Sequence, residues 1–560
     1  MGAALSSSLY ALLAALIGAA VIAWTFGLHV LPPSHTGWML TGTIGPDPVQ
    51  YWLGYTFFKR APWTWPPGLN PDWGLEIGSS VFYSDSIPLL ALAFKALHSV
   101  LEVSQYWGMW LFACGALQAF MAWKIIGLAT PHPLPRLAGA ALFALSPTML
   151  NRLGGHFALG AHFLLLIALY LCLTRARPAV RLLQWAGLIL LASLIHSYLL
   201  PMVAGFWGAD WLARLVRPSP PSGGRGMGEG GAPASRKLLA VELLAAPGAG
   251  VFGLWLAGFF VLSGGFGGTW GGYGRMQLDL LAPFDPSPWG AFLPDLPEPD
   301  HLETGHSYAG LGGLLAVAIA GLAWLRRPWP WLRAWWPLLL AVLGMLALAI
   351  SNRVSIGGQA FVLFDIPERV LRILDALRAS ERFLWPFAYT LLAASVFAII
   401  RAFGPKRAGV ILAVLVVVQV LDMRPGFARL DRYFPVGPAV APLRLQDPFW
   451  QEAAQRYRRV RLAPTGMQAR HWEEIAVYAA TLGLTTDAVY LARLDPAKVE
   501  ALNARVLAEL AEGHYEPGTF YAIGDARTLE AALQGADPAR DLIARRDGIW
   551  VLAPGWLSPQ

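Results

Sequence analysis

Residues 9–31 read LYALLAALIGAAVIAWTFGLHVL, an apolar stretch without a single Asp, Glu, Lys or Arg. A helix of about this length crosses the hydrocarbon core of a bilayer. The stretch is longer than the apolar part of a secretory signal and no basic segment precedes it, so we expect a retained first membrane span. The whole chain agrees, because 56% of its 560 residues are hydrophobic and only 14% are charged, against about a quarter in soluble domains.

Ten further apolar runs follow the first one and predict eleven transmembrane helices in all. The run from Leu182 to Val216 is too long for one helix, and we divide it at Pro201 because proline cannot continue the backbone hydrogen-bond ladder. The predicted fold is therefore an α-helical polytopic membrane protein. The expected spans are 9–31, 105–127, 137–153, 157–174, 182–199, 199–216, 238–262, 309–325, 335–351, 384–400 and 408–422.

The basic residues predict the orientation, because Lys and Arg are enriched in short cytoplasmic loops. If the N-terminus is cytoplasmic, the basic residues lie in every second connection between the predicted spans, on the cytoplasmic side. This requires that Ile87–Val100 does not cross the membrane and lies on its outer surface as an amphipathic helix. The C-terminus is then extracytoplasmic. Large outer segments are expected at 32–104, 263–308 and 352–383, and a Pro/Gly/Ser-rich cytoplasmic linker at 217–237. The cytoplasmic cations are Lys124, Arg136, Arg175, Arg177, Arg181, Arg214, Arg217, Arg225, Arg236, Lys237, Arg326, Arg327, Arg333, Arg401, Lys406 and Arg407.

The composition changes after residue 425, which predicts a membrane domain over 1–425 and a small extracytoplasmic α/β domain over 426–560. Three strand-like runs and helical stretches near 473–492 and 496–512 support the second domain. The net charge of +7 comes from scattered loop cations without interleaved aromatics, so we expect no nucleic-acid partner. The strand-like runs are Val460–Ala463, Thr519–Ile523 and Ile549–Ala553.

Asp47 is the first candidate for chemistry, about 16 residues after the first predicted span and between two prolines. A carboxylate held at the membrane surface beside aromatic residues is poorly solvated, which suits a general base. The alternative is a proline-braced turn with a solvated aspartate.

Three motifs carry a resemblance to a known group of enzymes. Tyr83–Leu89 reads YSDSIPL, Asn151–His156 reads NRLGGH, and Arg382–Pro386 reads RFLWP. Together with the early outer-loop Asp47, they resemble the GT-C superfamily of polyprenyl-phosphate-dependent glycosyltransferases, which includes protein O-mannosyltransferases and aminoarabinose transferases. The motifs are most similar to those of a bacterial GT-C-like membrane protein family.

The resemblance implies an inverting glycosyltransferase in the bacterial cytoplasmic membrane. Its donor would be a polyprenyl-phosphate sugar, and its acceptor an extracytoplasmic glycan, lipid or protein. The matching position, Asp47, would deprotonate the acceptor. Membrane lipid is a further expected partner.

Arginines are the expected ligands of the donor phosphate, because a guanidinium grips phosphate through two parallel hydrogen bonds. The candidates are Arg382, Arg152 and Arg353. Each of them has the alternative role of pairing with an outer-leaflet headgroup, and Glu381 is placed to form a local ion pair with Arg382. His196 is a further donor-site candidate, because polar residues at membrane depth are commonly functional; the alternative is a bond to a neighbouring helix.

Asp85 and His156 form the second predicted constellation. They would order the site, or they would share a divalent cation, Mg²⁺ or Mn²⁺, since carboxylate and imidazole are both usable ligands. Asp85 has the simpler alternative of capping the helix that follows it.

Two other functions compete with sugar transfer. A transporter or flippase for a lipid-linked glycan would make no bond, and it favours polar residues near the midplane and interrupted helices. A non-catalytic assembly factor would tolerate any residue at position 47. We prefer transfer because the ionisable residues gather at the outer face.

Overall fold

The computed structural model is mostly helical and describes residues 2–216, 236–262, 272–298, 307–326 and 335–558. The chain forms two compact units. The helical unit contains residues 1–32, 107–253 and 266–436, and the mixed unit contains 33–106, 254–265 and 437–560. Residues 437–560 therefore share a compact unit with residues 33–106. The predicted domain boundary at residue 425 places these two segments in different domains. The predicted linker at 217–237 and the outer segment at 263–308 lie largely or partly outside the described residues.

Apolar helices dominate the helical unit. Among the described residues, five helical stretches are long and apolar enough to cross a membrane: Ser8–Phe26, Trp107–Ile126, Pro178–Ile195, Arg236–Leu256 and Ser380–Asp422. By length and composition these helices are compatible with membrane insertion, and the count of eleven spans stays a prediction. The helices are Gly2–Phe26, Trp107–Ile126, Pro133–Ala144, Pro147–Leu153, Phe163–Leu173, Pro178–Ile195, Leu199–Val216, Arg236–Leu256, Leu311–Arg326, Trp336–Ile350, Glu368–Leu374, Leu384–Asp422 and Arg424–Tyr433.

Two helix breaks differ from the predicted ones. The expected span 137–153 is divided before Pro147, because the residue before a proline is disfavoured in the helical conformation. The division predicted at Pro201 is wrong by a few residues, since the chain turns extended at His196. Pro201 lies in the first turn of the next helix, where its missing N–H loses no helical hydrogen bond.

Glycine sets the geometry at two places. Gly404 interrupts the run Leu384–Asp422 with φ 73° and ψ 159°, a conformation open almost only to glycine, which agrees with the two spans predicted there. A Cβ on Gly18 would lie 2.0 Å from the carbonyl oxygen of Gly115, so the first two long helices touch backbone to backbone, as small residues permit in membranes. A core cluster lies where several helices meet: Ile126, Ala138, Leu142, Ala316, Val396, Ile399, Ile400, Ala408, Leu412 and Leu415.

The mixed unit is built on a five-stranded sheet from the tail. The strands in spatial order are Thr485–Thr486, Arg459–Ala463, Thr519–Ile523, Ile549–Ala553 and Leu542–Arg546. The first three are parallel and the last two add antiparallel, which confirms the predicted α/β character. The predicted helix 473–492 is shorter, because it ends before Gly483 at φ 81°. The helices are Gly37–Leu40, Asp47–Arg60, Pro88–Leu97, Pro448–Arg456, Trp472–Leu482, Pro496–Glu512 and Ala526–Gly535.

Candidate functional site

Four of the predicted site residues come together in the helical unit. Arg152 ends the short helix Pro147–Leu153, and Arg382 lies in the 3₁₀ turn Ser380–Phe383. The charge of Arg382 acts most strongly on His196, followed by those of His156 and Arg152. We call these four residues the cationic cluster. Two arginines and two histidines from separate helix ends thus share one electrostatic environment.

Arg382 is held against an aromatic ring. Its guanidinium carbon lies 4.6 Å from the ring centroid of Tyr198, and only 9% of the residue is exposed. The Tyr198 hydroxyl accepts a hydrogen bond of 2.9 Å from the backbone N–H of Ala379. The backbone N–H of Tyr198 donates to Nδ1 of His196 at 3.1 Å. A neutral His196 therefore carries its proton on Nε2 and can donate from that atom.

Arg152 is more deeply buried, with 1% of the residue exposed. Its guanidinium carbon lies 5.7 Å from the ring centroid of Trp385, and the same indole packs 4.3 Å from His162. Nδ1 of His162 is 2.7 Å from the hydroxyl of Tyr389. His162 is thus bonded to the neighbouring helix.

Glu381 supplies a negative charge next to the cluster. Its carboxylate accepts a hydrogen bond from the hydroxyl of Ser307, and the residue is 3% exposed. Its backbone N–H donates to the carbonyl oxygen of Met276 at 3.1 Å. The turn that carries Arg382 is therefore tied to Met276 and Ser307 of the helical unit.

An apolar cavity of about 620 Å³ lies among the helices Leu311–Arg326, Trp336–Ile350 and Leu384–Asp422. Its lining includes Ser307 and Trp385, which contact Glu381 and Arg152 respectively. One side chain of the cavity wall, Trp385, thus lies between the cavity and Arg152 of the cationic cluster.

Arg353 lies instead in an exposed hairpin, whose strands are Arg353–Ile356 and Gln359–Val362. The hairpin is anchored by Asp279, which is 4% exposed and accepts hydrogen bonds from Ser355 Oγ at 2.7 Å and Gly358 N at 3.0 Å. The charges that act on His196 come from the other three members of the cluster and not from Arg353.

Asp47 belongs to the mixed unit and begins the helix Asp47–Arg60. Pro46 and Pro48 lie at the start of this helix, and Asp47 is half-buried; the base and the solvated aspartate both stay predictions. The hydroxyl of Tyr490 donates to Oδ1 of Asp47 at 3.0 Å. Tyr490 in turn packs against Trp472 with 5.4 Å between the ring centroids.

Asp85 lies in a strained turn of the mixed unit. Asp85 and Ile87 both have φ 51°, a value that is unusual for a β-branched residue and that is often associated with functional sites. Hydroxyls of Ser84 and Ser86 lie 2.8 Å apart within this turn. Ile87, and not Asp85, is the N-cap residue of the helix Pro88–Leu97.

The predicted cation site rests on Asp85 and His156, which belong to different compact units. One carboxylate and one imidazole would leave most of the six positions that Mg²⁺ requires to water or substrate. Within the described ranges, no group of three or more His, Cys, Asp or Glu could hold a metal ion. The shared cation stays a prediction, and no step below depends on it.

Sequence reasoning missed two aromatic partners of the site. Tyr490 follows Asp47 by most of the chain length, so no local signal links the two residues. Tyr198 follows His196 by two positions. Its position just after a predicted helix end could have indicated that it lies near His196.

Family models match both parts of the chain. Residues 15–424 match the model described as "Domain of unknown function (DUF6311)". Residues 449–554 match the model described as "DUF6311 C-terminal domain". No curated protein matches the chain.

Proposed function

We propose that this chain, which belongs to the DUF6311 family, is a GT-C-like membrane glycosyltransferase. It transfers a sugar from a polyprenyl-phosphate donor to an extracytoplasmic glycan, lipid or protein. The proposal includes eleven spans, a cytoplasmic N-terminus and a place in the bacterial cytoplasmic membrane. The observation that carries it is the pair of buried arginines beside an apolar cavity in the helical unit.

The donor has two chemically different ends, and both have a counterpart in the helical unit. The phosphate is anionic and suits Arg152 and Arg382, because guanidinium groups bind phosphate through paired, charge-assisted hydrogen bonds. Both arginines are largely withheld from water, where such bonds are stronger than at an exposed surface.

The polyprenyl chain is purely hydrocarbon and suits the adjoining cavity. The cavity of about 620 Å³ lies within the range of about 300–1,000 Å³ that is typical of ligand sites. Its lining is mostly Leu, Ile, Val, Ala and aromatic side chains. An apolar cavity close to two buried cations suits a ligand that joins a hydrocarbon chain to a phosphate.

Asp47 is the proposed general base. Its carboxylate removes the proton from the acceptor hydroxyl as the hydroxyl oxygen attacks the anomeric carbon of the donor sugar. The bond between that carbon and the phosphate oxygen breaks, and polyprenyl phosphate leaves with the electron pair. The arginines offset the charge on the leaving phosphate, and in this proposal His196 donates to the same phosphate from Nε2.

A flippase for lipid-linked glycans remains the second candidate, because one observation favours it. Asp210 and Glu242 are buried in the helices Leu199–Val216 and Arg236–Leu256, and intramembrane acids often mark a transport path. Both acids are bonded to Arg214 at 3.0 Å and 2.6 Å, so we favour a structural role for them.

Substitution of the base tests the transfer step. Purified protein in lipid nanodiscs would receive undecaprenyl-phosphate mannose or undecaprenyl-phosphate aminoarabinose, and released undecaprenyl phosphate would be measured. We expect Asp47→Asn to lower the rate at least about 100-fold, the usual contribution of a general base. Asp431→Asn, an exposed carboxylate in Arg424–Tyr433, should leave the rate unchanged. Full activity of Asp47→Asn would rule out this base.

Binding of the lipid phosphate tests the cationic cluster separately. Native mass spectrometry with undecaprenyl phosphate should give a Kd raised about tenfold or more in Arg382→Gln and in Arg152→Gln, since a charged hydrogen bond contributes about 1.5–3 kcal/mol. Arg382→Lys should recover only part of the affinity, because it lacks the planar fork. Arg424→Gln, exposed on the same unit, is the matched control. Equal affinities in all four variants would contradict the phosphate role.

A further inference from the structure

A pocket of about 360 Å³ lies between the loop 286–295 and the helix Arg424–Tyr433, both in the helical unit. We call it the loop–helix pocket. Its charged lining residues are Arg429 and Arg432 from the helix and Asp295 from the loop. Proline, glycine, serine and leucine residues form the remaining lining. No step of the proposed transfer uses this pocket.

Close contacts fix the loop against the helix. Trp289 is fully buried, and a Cβ on Gly426 would lie 2.1 Å from its ring. Oδ1 of Asp422 accepts hydrogen bonds from the backbone N–H groups of Ala291 and Phe292 at 3.2 Å and 3.4 Å. Both walls of the pocket are thus in place before a ligand binds, and a preformed site loses less conformational freedom on binding.

Arg429 is held by uncharged groups and keeps one accessible nitrogen. Its Nη2 donates to the side-chain oxygen of Asn151, and its guanidinium carbon lies 5.7 Å from the ring centroids of Trp289 and Tyr433. Nε is fully buried, whereas Nη1 is not, and Nη1 forms no hydrogen bond with the described residues. Burial lowers the pKa of Arg429, so its positive charge is incompletely compensated.

Arg432 adds a second cation on the same side of the helix. It follows Arg429 by three positions, and residues at this spacing are neighbours on a helix surface. Arg432 is exposed and forms no ion pair with any acid that the structure describes, and Asp431 is not part of the pocket lining. Two neighbouring like charges repel each other. An anion that contacts both guanidinium groups removes this repulsion, and phosphate suits their paired donors.

Asp295 places a negative charge on the loop side of the pocket. It is exposed. Burial raises the pKa of the neighbouring Asp285, and the charge of Asp295 raises it further. This side therefore attracts an ammonium group and repels a plain anion. The pocket presents two cations on one wall and an acid on the other, which is the complement of a zwitterion.

We propose that the loop–helix pocket binds a phosphoethanolamine group, with its phosphate on Arg429 and Arg432 and its ammonium on Asp295. Such a group occurs as the headgroup of a phospholipid and as the soluble diester glycerophosphoethanolamine. The proposal does not depend on the proposed function, because binding requires neither the donor nor Asp47.

Two matched phosphodiesters test this site. The full chain in amphipol would be titrated with glycerophosphoethanolamine and with glycerophosphoglycerol, which lacks the ammonium group, and phosphorus NMR would give each Kd. We expect Arg432→Gln to raise both Kd values about fivefold, the effect of one lost hydrogen bond. Asp295→Asn should raise the Kd of glycerophosphoethanolamine by a similar factor without weakening glycerophosphoglycerol. Arg424→Gln, exposed in the same helix and outside the lining, should bind as the wild type does.

A short-chain lipid distinguishes the two sources of the group. If dihexanoyl phosphatidylethanolamine binds more tightly than glycerophosphoethanolamine, the ligand is a lipid headgroup, and equal affinities identify the soluble diester. Arg432 and Asp295 are both exposed, so neither substitution should lower the melting temperature. The proposal is overturned if neither diester binds, if Arg432→Gln keeps the wild-type affinities, or if Asp295→Asn weakens both diesters alike.

Discussion

The hydroxyl of Tyr490 lies 3.0 Å from Oδ1 of Asp47, and this contact brings the tail to the residue that we propose as the base. A hydrogen bond to the carboxylate fixes the orientation of its oxygens. The ring of Tyr490 is itself held by Trp472. We therefore assign Tyr490 a positioning role, since it acts on the reaction through Asp47.

Removal of this hydroxyl should slow transfer without unfolding the protein. Tyr490→Phe keeps the ring and its packing, so we expect kcat to fall about tenfold, the equivalent of about 1.4 kcal/mol, with the donor KM unchanged. Steady-state kinetics over a range of donor concentrations, beside thermal melting, check both. A kcat like that of the wild type would exclude the positioning role.

Burial also explains why the arginines of the cluster are stronger candidates than Arg353. A guanidinium that is nearly dry gains most from a phosphate partner, whereas an exposed one competes with water and salt. Arg152 and Arg382 are in the first group and Arg353 is in the second. Sequence position alone treats all three as equal candidates.

At the level of helices, an ion network joins three of the apolar helices. Arg214 of Leu199–Val216 donates to both carboxylate oxygens of Glu242 at 2.9 Å and 2.6 Å, and to Asp210 at 3.0 Å. Asp210 also lies 3.8 Å from Arg181 of Pro178–Ile195. Two arginines predicted as loop cations thus lie in helices and are neutralised by two acids.

Breaking one pair of this network should destabilise the helical unit. Glu242→Gln leaves an excess positive charge in a buried site, a change that costs about 3–5 kcal/mol in comparable pairs. The double variant Arg214→Leu/Glu242→Leu should recover most of the loss, because Arg181 and Asp210 still balance each other.

The melting temperatures of these variants in detergent test this prediction. Lys237→Gln is the control, because Lys237 is exposed in the same helix as Glu242. A double variant no more stable than Glu242→Gln would show that the two residues do not act as a pair. If Glu242→Gln is as stable as the wild type, the network has no structural role, and the result favours the flippase function.

At the scale of the whole chain, Arg461 joins segments that are far apart in sequence. It is fully buried and bonds to Glu76 at 2.5 Å, Asp487 at 2.7 Å and Glu516 at 2.8 Å. Next to Glu76, Trp73 forms a parallel bridge with Thr486 and extends the tail sheet. Part of the first outer segment is thereby built into the fold of the tail.

This network predicts acid sensitivity of the mixed unit. Partial burial opposes ionisation of Glu76, but hydrogen bonds from Arg461 and Arg505 outweigh it and lower the pKa of Glu76 to about 2. Hydrogen bonds from Arg461 likewise lower the pKa of Glu516. Burial raises the pKa of Asp487, so the acid sensitivity comes from Glu76 and Glu516. A lowered carboxyl pKa stabilises the fold above its ordinary value of 4.5, and this stability is lost as the pH falls from there towards 2.

We therefore expect the melting temperature to be nearly constant above about pH 5 and to fall below pH 4.5. In Glu76→Gln the acid loss should be smaller, since one of the titrating groups is gone. Glu530→Gln, exposed in Ala526–Gly535, should follow the wild type. Scanning fluorimetry across pH 2–7 provides the test, and parallel curves for Glu76→Gln and the wild type would refute the linkage.

The local sequence was sufficient to predict the apolar helices and the strands, because their formation depends on the free energies of residues close together in the chain. A run such as 9–31 is apolar enough by itself to favour lipid over water, and alternation within short runs was sufficient for the strands of the tail. Motif position was also sufficient to identify Arg152, His156, His196 and Arg382 as separate candidates. No local property indicated that these four would meet.

The tertiary structure alone decided which charges are paired and which residues share a site. The pairing of Arg214 with Glu242, of Arg461 with Glu76 and of Tyr490 with Asp47 depends on contacts between distant segments. Whether a segment spans the membrane, and where its helix begins or bends, follows from the conformational preferences and transfer free energies of residues that are neighbours in sequence. Whether its charge is balanced depends on which side chains the packed fold brings within a few ångströms, and sequence spacing does not encode that distance.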